Sequence, residues 1–234
     1  VIIEGCGDTS IETVYGGGNA AAAPATHVEV NSCYEIGTVF AGGNGKDAME
    51  DGSENPGADV GLIALKPGGT AYANDPTKQV YGTGIALAEI HGGFVHSAFG
   101  GSNTKGNVRE SATVDLSEPD VVTCPLGIDE AYGAGNEAAQ DGTSNINLGC
   151  LSYLREIYGG AKNADVNNDI VLNIQNGRFH RVFGGNNIGG RIKGSITVNI
   201  EETGCHPIVI GQLFGGGNQA GYSVYGYKDV NGKW

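Results

Sequence analysis

Seven copies of one short signature punctuate this chain: an aromatic residue ending an apolar stretch, two or three small residues, then an asparagine. The copies are Tyr15-Gly-Gly-Gly-Asn19, Phe40-Ala-Gly-Gly-Asn44, Phe99-Gly-Gly-Ser-Asn103, Tyr132-Gly-Ala-Gly-Asn136, Tyr158-Gly-Gly-Ala-Lys-Asn163, Phe183-Gly-Gly-Asn-Asn187 and Phe214-Gly-Gly-Gly-Asn218. Successive aromatics stand 25, 59, 33, 26, 25 and 31 residues apart. A recurrence in the twenties to low thirties marks a solenoid, in which each repeat is one rung that needs its neighbours to bury its apolar face.

The rungs read as strands. Glycine makes up 42 of 234 residues, a heavy cumulative penalty for long helices. Segments upstream of the aromatics alternate with strand periodicity, as in Val28-Glu-Val30, Val114-Asp-Leu116, Ile170-Val-Leu-Asn-Ile174 and Thr197-Val-Asn-Ile200. A second register appears when the copies are aligned on the aromatic. One residue before it stand Val14, Val39, Ala98, Ala131, Ile157, Val182 and Leu213; four before it stand Ile11, Ile36, Val95, Ile128, Leu154, Phe179 and Ile210. The intervening pairs are mostly polar or glycine: Glu12/Thr13, Gly37/Thr38, His96/Ser97, Asp129/Glu130, Arg155/Glu156, His180/Arg181 and Gly211/Gln212. A flat strand alternates with period two, so the chain is expected to bend at this pair and push it outward.

The predicted fold is all-β: a right-handed parallel β-helix of about seven coils forming a single domain over 1–234, roughly 34 Å long at one strand spacing per coil. The glycine run is expected to use positive φ at a sharp turn. The asparagines are expected to stack as an amide ladder. The 59-residue interval predicts a long excursion over about 45–84, containing Asp47, Glu50, Asp51 and Glu54. Long insertions of this kind are where solenoids tend to place binding.

Cys6, Cys33, Cys124, Cys150 and Cys205 precede their aromatics by 9, 7, 8, 8 and 9 residues, a shared turn position. Equivalent residues on adjacent coils fall within disulfide reach. Cys6 with Cys33 and Cys124 with Cys150 are therefore candidate pairs, and a column of reduced thiols is the alternative. The partner of Cys205 is expected beyond Trp234. No paired CxxC points to a metal centre.

A net charge of −13 argues against nucleic acid or an anionic membrane surface as partner. No apolar stretch reaches membrane-spanning length. The aromatic-rich tail, Tyr222, Tyr225, Tyr227 and Trp234, together with the expected need to cover a bare coil end, predicts a segment of a longer protein.

The unit V-[YF]-G-G-G-N behind an alternating strand resembles the glycine-rich repeats of large surface proteins of gut Bacteroidetes. More distantly it is similar to the aromatic-and-glycine repeats of polymorphic autotransporter adhesins, which form right-handed parallel β-helices. The resemblance spans Ile11 to Asn218, leaves out the excursion, and rests on structural residues. It implies an exported protein at a bacterial cell surface.

Parallel β-helices also include polysaccharide lyases and hydrolases. Arg191-Ile-Lys193 matches an Arg-Ile-Lys signature of polygalacturonases, but the paired and flanking aspartates that would protonate the leaving oxygen and activate water are missing. Asp165-Val-Asn-Asn-Asp169 has oxygens at alternating positions, yet Ile170 stands where an EF-hand needs glycine and Asn176 where it needs glutamate. Gly184 to Arg191 lacks the Lys-Ser/Thr of a phosphate-binding loop. His96 and His180 read as isolated surface imidazoles three coils apart. Asp129/Glu130, Arg155/Glu156 and His180/Arg181 come from successive coils. They form either a cross-coil ion-pair ladder or the polar wall of a groove for an extended glycan.

The expected function is a non-enzymatic surface module, adhesin-like or a stalk, contacting glycans or other surface proteins, with no cofactor. The alternatives are a carbohydrate-binding module using the excursion and the terminal aromatics, whose flat faces stack on sugar rings, and a degenerate polysaccharide lyase or hydrolase.

Overall fold

The computed structural model describes residues 1–7, 9–45, 57–63, 80–119, 124–151 and 153–222. Among these there is no helix; two parallel sheets of seven strands form a solenoid-like stack. Sheet A runs β1 (Ile2–Gly5), β3 (Thr26–Ser32), β7 (Ile85–Ile90), β9 (Ser111–Leu116), β11 (Thr143–Leu148), β13 (Ile170–Ile174), β15 (Ile196–Ile200). Sheet B runs β2 (Ser10–Tyr15), β4 (Glu35–Phe40), β8 (Gly93–Phe99), β10 (Leu126–Tyr132), β12 (Tyr153–Tyr158), β14 (Arg178–Phe183), β16 (Val209–Phe214). Each coil gives one strand to each sheet, so like positions of successive repeats lie side by side. Ile11 pairs with Ile36, Ile36 with Val95, Val95 with Ile128 and Ile128 with Leu154.

A short third side closes each turn. Ala23, Val60 and Val108 bridge one another there, as do Gln140, Val166 and Ile192. Val60 lies inside the expected insertion, so part of that segment belongs to the stack. The chain leaves the third side at Gly61 and re-enters at Gly82, whose N–H donates to the Gly61 carbonyl at 2.9 Å. A two-stranded antiparallel stem, β5 (Leu62–Ile63) with β6 (Val80–Tyr81), marks the base of the excursion. Asp47, Glu50, Asp51 and Glu54 lie outside the described residues, as do Tyr225, Tyr227 and Trp234. Ile192 of the Arg191-Ile-Lys193 motif is a buried third-side residue, and Asp165 accepts the Arg191 N–H at 2.8 Å. Arg191 and Lys193 are exposed on either side of Ile192.

The two periods seen in the sequence have different destinations. Sheet A alternates strictly, with Val28, Val30, Ile90, Val114, Ile146 and Leu172 facing the main core. Sheet B bends at the polar pair, so that Ile128 and Ala131 both face that core while Asp129 and Glu130 point outward. The aromatic follows its buried neighbour directly and therefore leaves the core side. It enters a separate stack instead: Tyr15, Phe40, Phe99, Tyr132, Tyr158, Phe183 and Phe214 lie 4.6 to 5.1 Å apart between successive centroids, planes within 14°. Each stacked pair contributes about 0.5–1.5 kcal/mol beyond the area it buries.

Positive φ is not what the signature glycines supply. The glycines in the left-handed region, among them Gly45, Gly93 and Gly177, lie elsewhere. Close approach explains the signature instead. A Cβ on Gly100 would collide with the Gly133 carbonyl, one on Gly133 with the Gly159 carbonyl, and one on Gly159 with the Gly184 carbonyl. Each glycine makes room for the backbone of the next coil.

The asparagine ladder runs Asn19, Asn44, Asn103, Asn136, each Nδ2 donating to the preceding Oδ1 at 2.8 to 2.9 Å. Asn218 continues it onto Asn187 at 3.0 Å. Asn163 is not in the ladder. Counting from Tyr158, Lys162 takes the fifth-coil slot, and Asn163 sits one position further on, where its N–H donates to Asn136. The Asn187 amide donates to the Tyr132 hydroxyl two coils below at 2.8 Å, as the Asn103 amide does to Tyr15 at 3.2 Å.

The cysteines do share one turn, but their pairing differs from the adjacent-coil expectation. Cys33 of coil 2 joins Cys124 of coil 4, and Cys150 of coil 5 joins Cys205 of coil 7; Cys6 is free. The reason is turn length. Coil 3 crosses between sheets with His91 and Gly92 alone and coil 6 with Gln175 to Gly177, neither holding a cysteine. The next coil's cysteine therefore meets the one two coils below.

Candidate functional site

The outer face of sheet B collects the side chains that the bend pushes out. Between the third and sixth coils it forms a shallow concavity of about 390 Å³ lined by His96, Ser97, Asp129, Glu130, Arg155, Glu156 and Arg181. Five of the six surface residues singled out in the sequence line it; His180 is exposed beside it.

Its acids are largely committed. Glu156 is buried, with 7% of its side chain accessible, and takes both the Arg181 guanidinium (Nε at 3.1 Å) and the Tyr158 hydroxyl at 2.7 Å. Burial pushes its carboxyl up, but those hydrogen bonds and the Arg181 charge together outweigh it and hold the group below the ordinary carboxylate range. Glu130 repeats the pattern one coil down: it accepts from the Tyr132 hydroxyl at 2.9 Å and stands 3.8 Å from Lys162 Nζ. Burial first, then the neighbouring carboxylates, push both tyrosine hydroxyls above their ordinary range, so they remain donors.

His96 is not isolated. Its Nδ1 lies 2.9 Å from Asp129 and its Nε2 3.2 Å from Glu35, and the two hydrogen bonds raise its pKa. Asp129 thus turns toward coil 3 rather than toward Arg155. Arg155, Arg178 and His180 make no hydrogen bond or ion pair among the described residues. The expected ladder is therefore partial, with links at His96–Asp129 and Glu156–Arg181.

Two exposed aromatics lie beside the concavity, both on the side of the strand starts. Phe94 is 40% and Tyr153 51% exposed. They share one register column with Gly127 between them, hence their Cα atoms stand two strand spacings, roughly 9.5 Å, apart. The Phe94 ring leans over Gly127, where a Cβ would lie 2.8 Å from it. His96 meets the Phe94 ring edge-on at 4.8 Å. Sequence reasoning did not single out this pair. The available signal was an aromatic five residues before the repeat aromatic, a column otherwise holding Ser10, Glu35, Gly127, Arg178 and Val209.

Other candidates resolve into structure. A larger concavity of about 610 Å³ on sheet A is lined by Asp115, Asn147, Asn173 and Asn199 among others. Its amides bond one another at 2.8 Å along a second ladder. Asp169 accepts from the backbone and hydroxyl of Ser195, and Asn167 donates to Asp141, so the loop over 165–169 joins coils together. Among the described residues, the one group of three His, Cys, Asp or Glu ligand atoms within 4.8 Å of each other is Cys6, Cys33 and Cys124. No helix among these residues is long and apolar enough to cross a membrane. No family model matches the chain, and no curated protein and no solved structure matches it.

Proposed function

We propose that this chain is a non-enzymatic, exported surface module, adhesin-like or stalk-forming, that contacts extended glycans along the outer face of sheet B. The observation that carries the reading is the pair of exposed rings, Phe94 and Tyr153, set in one column along the rod beside a polar concavity in which Arg155 makes no hydrogen bond or ion pair among the described residues. Flat apolar faces two rungs apart suit sugar rings of an extended chain, and polar groups beside them suit hydroxyls. Fourteen strands with register fixed on two sheets make a rigid platform, so little ordering cost opposes binding. The right-handed form of the β-helix is part of the proposal and follows from the near-universal hand of parallel crossover connections.

Binding suits the groove better than glycoside cleavage. A carboxyl that protonates a leaving oxygen needs a raised pKa, whereas Glu156 is held low and Asp129 is engaged by His96. The surface assignment rests on the repeat resemblance and on the disulfides, which suit an oxidising compartment.

Calorimetric titration with a panel of neutral and acidic oligosaccharides tests the glycan reading. At least one extended oligosaccharide should bind without turnover, and Tyr153→Ala and Arg155→Ala should each weaken it by about tenfold while leaving the melting temperature unchanged. A panel with no ligand for the folded protein would remove the reading. Protease shaving of intact cells producing the full-length protein tests its exposure: release of these peptides is expected, and full protection would contradict it.

A further inference from the structure

Three sulfurs converge at one end of the inter-sheet turn. Cys33 and Cys124 are joined, with Cα atoms 5.1 Å apart, across the short turn of coil 3. The exposed Cys6 of coil 1 places its Sγ 3.2 Å from the Cys33 Sγ. All three sulfur atoms fall within 4.8 Å of one another. The chain's other two cysteines, Cys150 and Cys205, pair in the same skip-one fashion with no further cysteine in the chain to join them.

We propose that Cys6, Cys33 and Cys124 form a thiol–disulfide exchange centre in which Cys33 is shared between two partners. Cys6 gives its proton to solvent, and the resulting thiolate attacks the Cys33 sulfur. The Cys6–Cys33 bond forms as the Cys33–Cys124 bond breaks. The electron pair leaves on the Cys124 sulfur, which takes a proton from solvent. One disulfide and one thiol are present before and after, so no external oxidant or reductant enters. Exchange moves the covalent staple from coils 2 and 4 to coils 1 and 2 and moves the free thiol from Cys6 to Cys124.

The local geometry makes Cys33 the shared sulfur. Gly92 lies between the levels of Cys33 and Cys124, and a Cβ on it would stand 2.8 Å from the Cys124 carbonyl oxygen and 3.3 Å from the Cys124 Cβ. The missing side chain is what lets Cys124 descend to Cys33. Cys6 approaches from the opposite side, held by the strand pairing of β1 with β3, in which Gly5 is the partner of Ser32. The Cys33 N–H also donates to the Gly5 carbonyl at 3.0 Å. Cys6 and Cys124 thus reach Cys33 from coils on opposite sides of it, with all three sulfurs within 4.8 Å of one another.

The test is peptide mapping of the oxidised 234-residue chain. The protein is held at about pH 8.5, where thiolates form, quenched with acid, labelled with N-ethylmaleimide and digested without reduction. Label should divide between Cys6 and Cys124 and total one thiol per chain, with both Cys6–Cys33 and Cys33–Cys124 linked peptides present. Cys6→Ser should abolish labelling at Cys124. Cys124→Ser, folded under the same oxidising conditions, should show the Cys6–Cys33 link and no label. In both variants the Cys150–Cys205 link reports that the stack has formed. Label confined to Cys6 in the unsubstituted protein, free Cys6 and Cys33 together in Cys124→Ser, or label on all five cysteines would each overturn the proposal.

Discussion

Gly133→Ala is the substitution that most sharply separates a stacked glycine from a merely flexible one. Gly133 follows Tyr132, and an added Cβ would run into the Gly159 carbonyl of the next coil and the Ser144 hydroxyl. Neither can move aside. Ser144 is buried and donates to that same carbonyl at 2.6 Å, while the Gly133 N–H is held by Tyr158 at 3.0 Å. Overpacking of this kind costs about 1–3 kcal/mol, and the upper part of that range applies because backbone rather than side chain must shift. Gly215 occupies the same signature position after Phe214, but there a Cβ meets nothing within 4 Å, and its φ is not left-handed. Gly215→Ala should therefore stabilise by about 0.4–1 kcal/mol through the unfolded chain. Urea unfolding followed by far-ultraviolet circular dichroism reads the difference as opposite shifts of the midpoint. In melting temperature the Gly133 variant should lose about 2–4 °C per kcal/mol. Equal destabilisation by the two substitutions would show that the glycines serve the turn itself, and the close-approach explanation would fail.

Three further consequences follow from the same geometry. Tyr158→Phe removes a donor to the buried Glu156 carboxylate and should cost about 1.5–3 kcal/mol at neutral pH. Because the folded Glu156 pKa is depressed, its contribution is complete above the ordinary value of 4.5 and is lost as pH falls through the folded value; a gap between the two proteins that stays constant into acid would contradict this. His96 should titrate above 6.5 in an NMR pH series, held up by hydrogen bonds to Asp129 and Glu35, and Asp129→Asn should bring it down. That ion-pair contribution is present at low pH and fades as pH rises through the folded value, so an unshifted resonance would remove the pairing. Lys162→Asn should complete the amide ladder between Asn136 and Asn187, at about 0.5–1.5 kcal/mol per hydrogen bond gained, less the weak exposed pair with Glu130; a lower melting temperature would count against the slot assignment.

The repeat made much of this fold legible before any coordinates. Aligning on the aromatic places Ile128 and Ala131 in the core and Asp129 and Glu130 outside, because a solenoid converts equal sequence phase into equal position. Phase also located the cysteine turn. It did not reveal the pairing, which depends on how far each turn reaches: His91 and Gly92 are too short and carry no thiol, so Cys33 meets Cys124 instead. Counting from asparagine rather than from the aromatic misplaced Asn163, since one inserted residue gives its slot to Lys162. The glycine signature was legible as a constraint but not as a mechanism, because positive φ and close packing select the same residue. Phe94 and Tyr153 went unnoticed for a related reason: their column holds no repeated residue type, and pattern reading favours what recurs. The partners of His96 were hidden because Glu35 lies 61 residues away in sequence and belongs to a different register column.

Spin-label distances along one column test the central claim, that successive repeats pile up one strand spacing apart. With Cys6→Ser as background, labels at Glu12 and Arg155, four coils apart, and at Glu12 and His180, five apart, should give mean separations of roughly 19 and 24 Å by pulsed double-resonance spectroscopy. An increment near one strand spacing, regardless of the excursion between coils 2 and 3, is the expected result. Separations that do not grow with coil number would contradict the stack, and with it the groove and the sulfur triad.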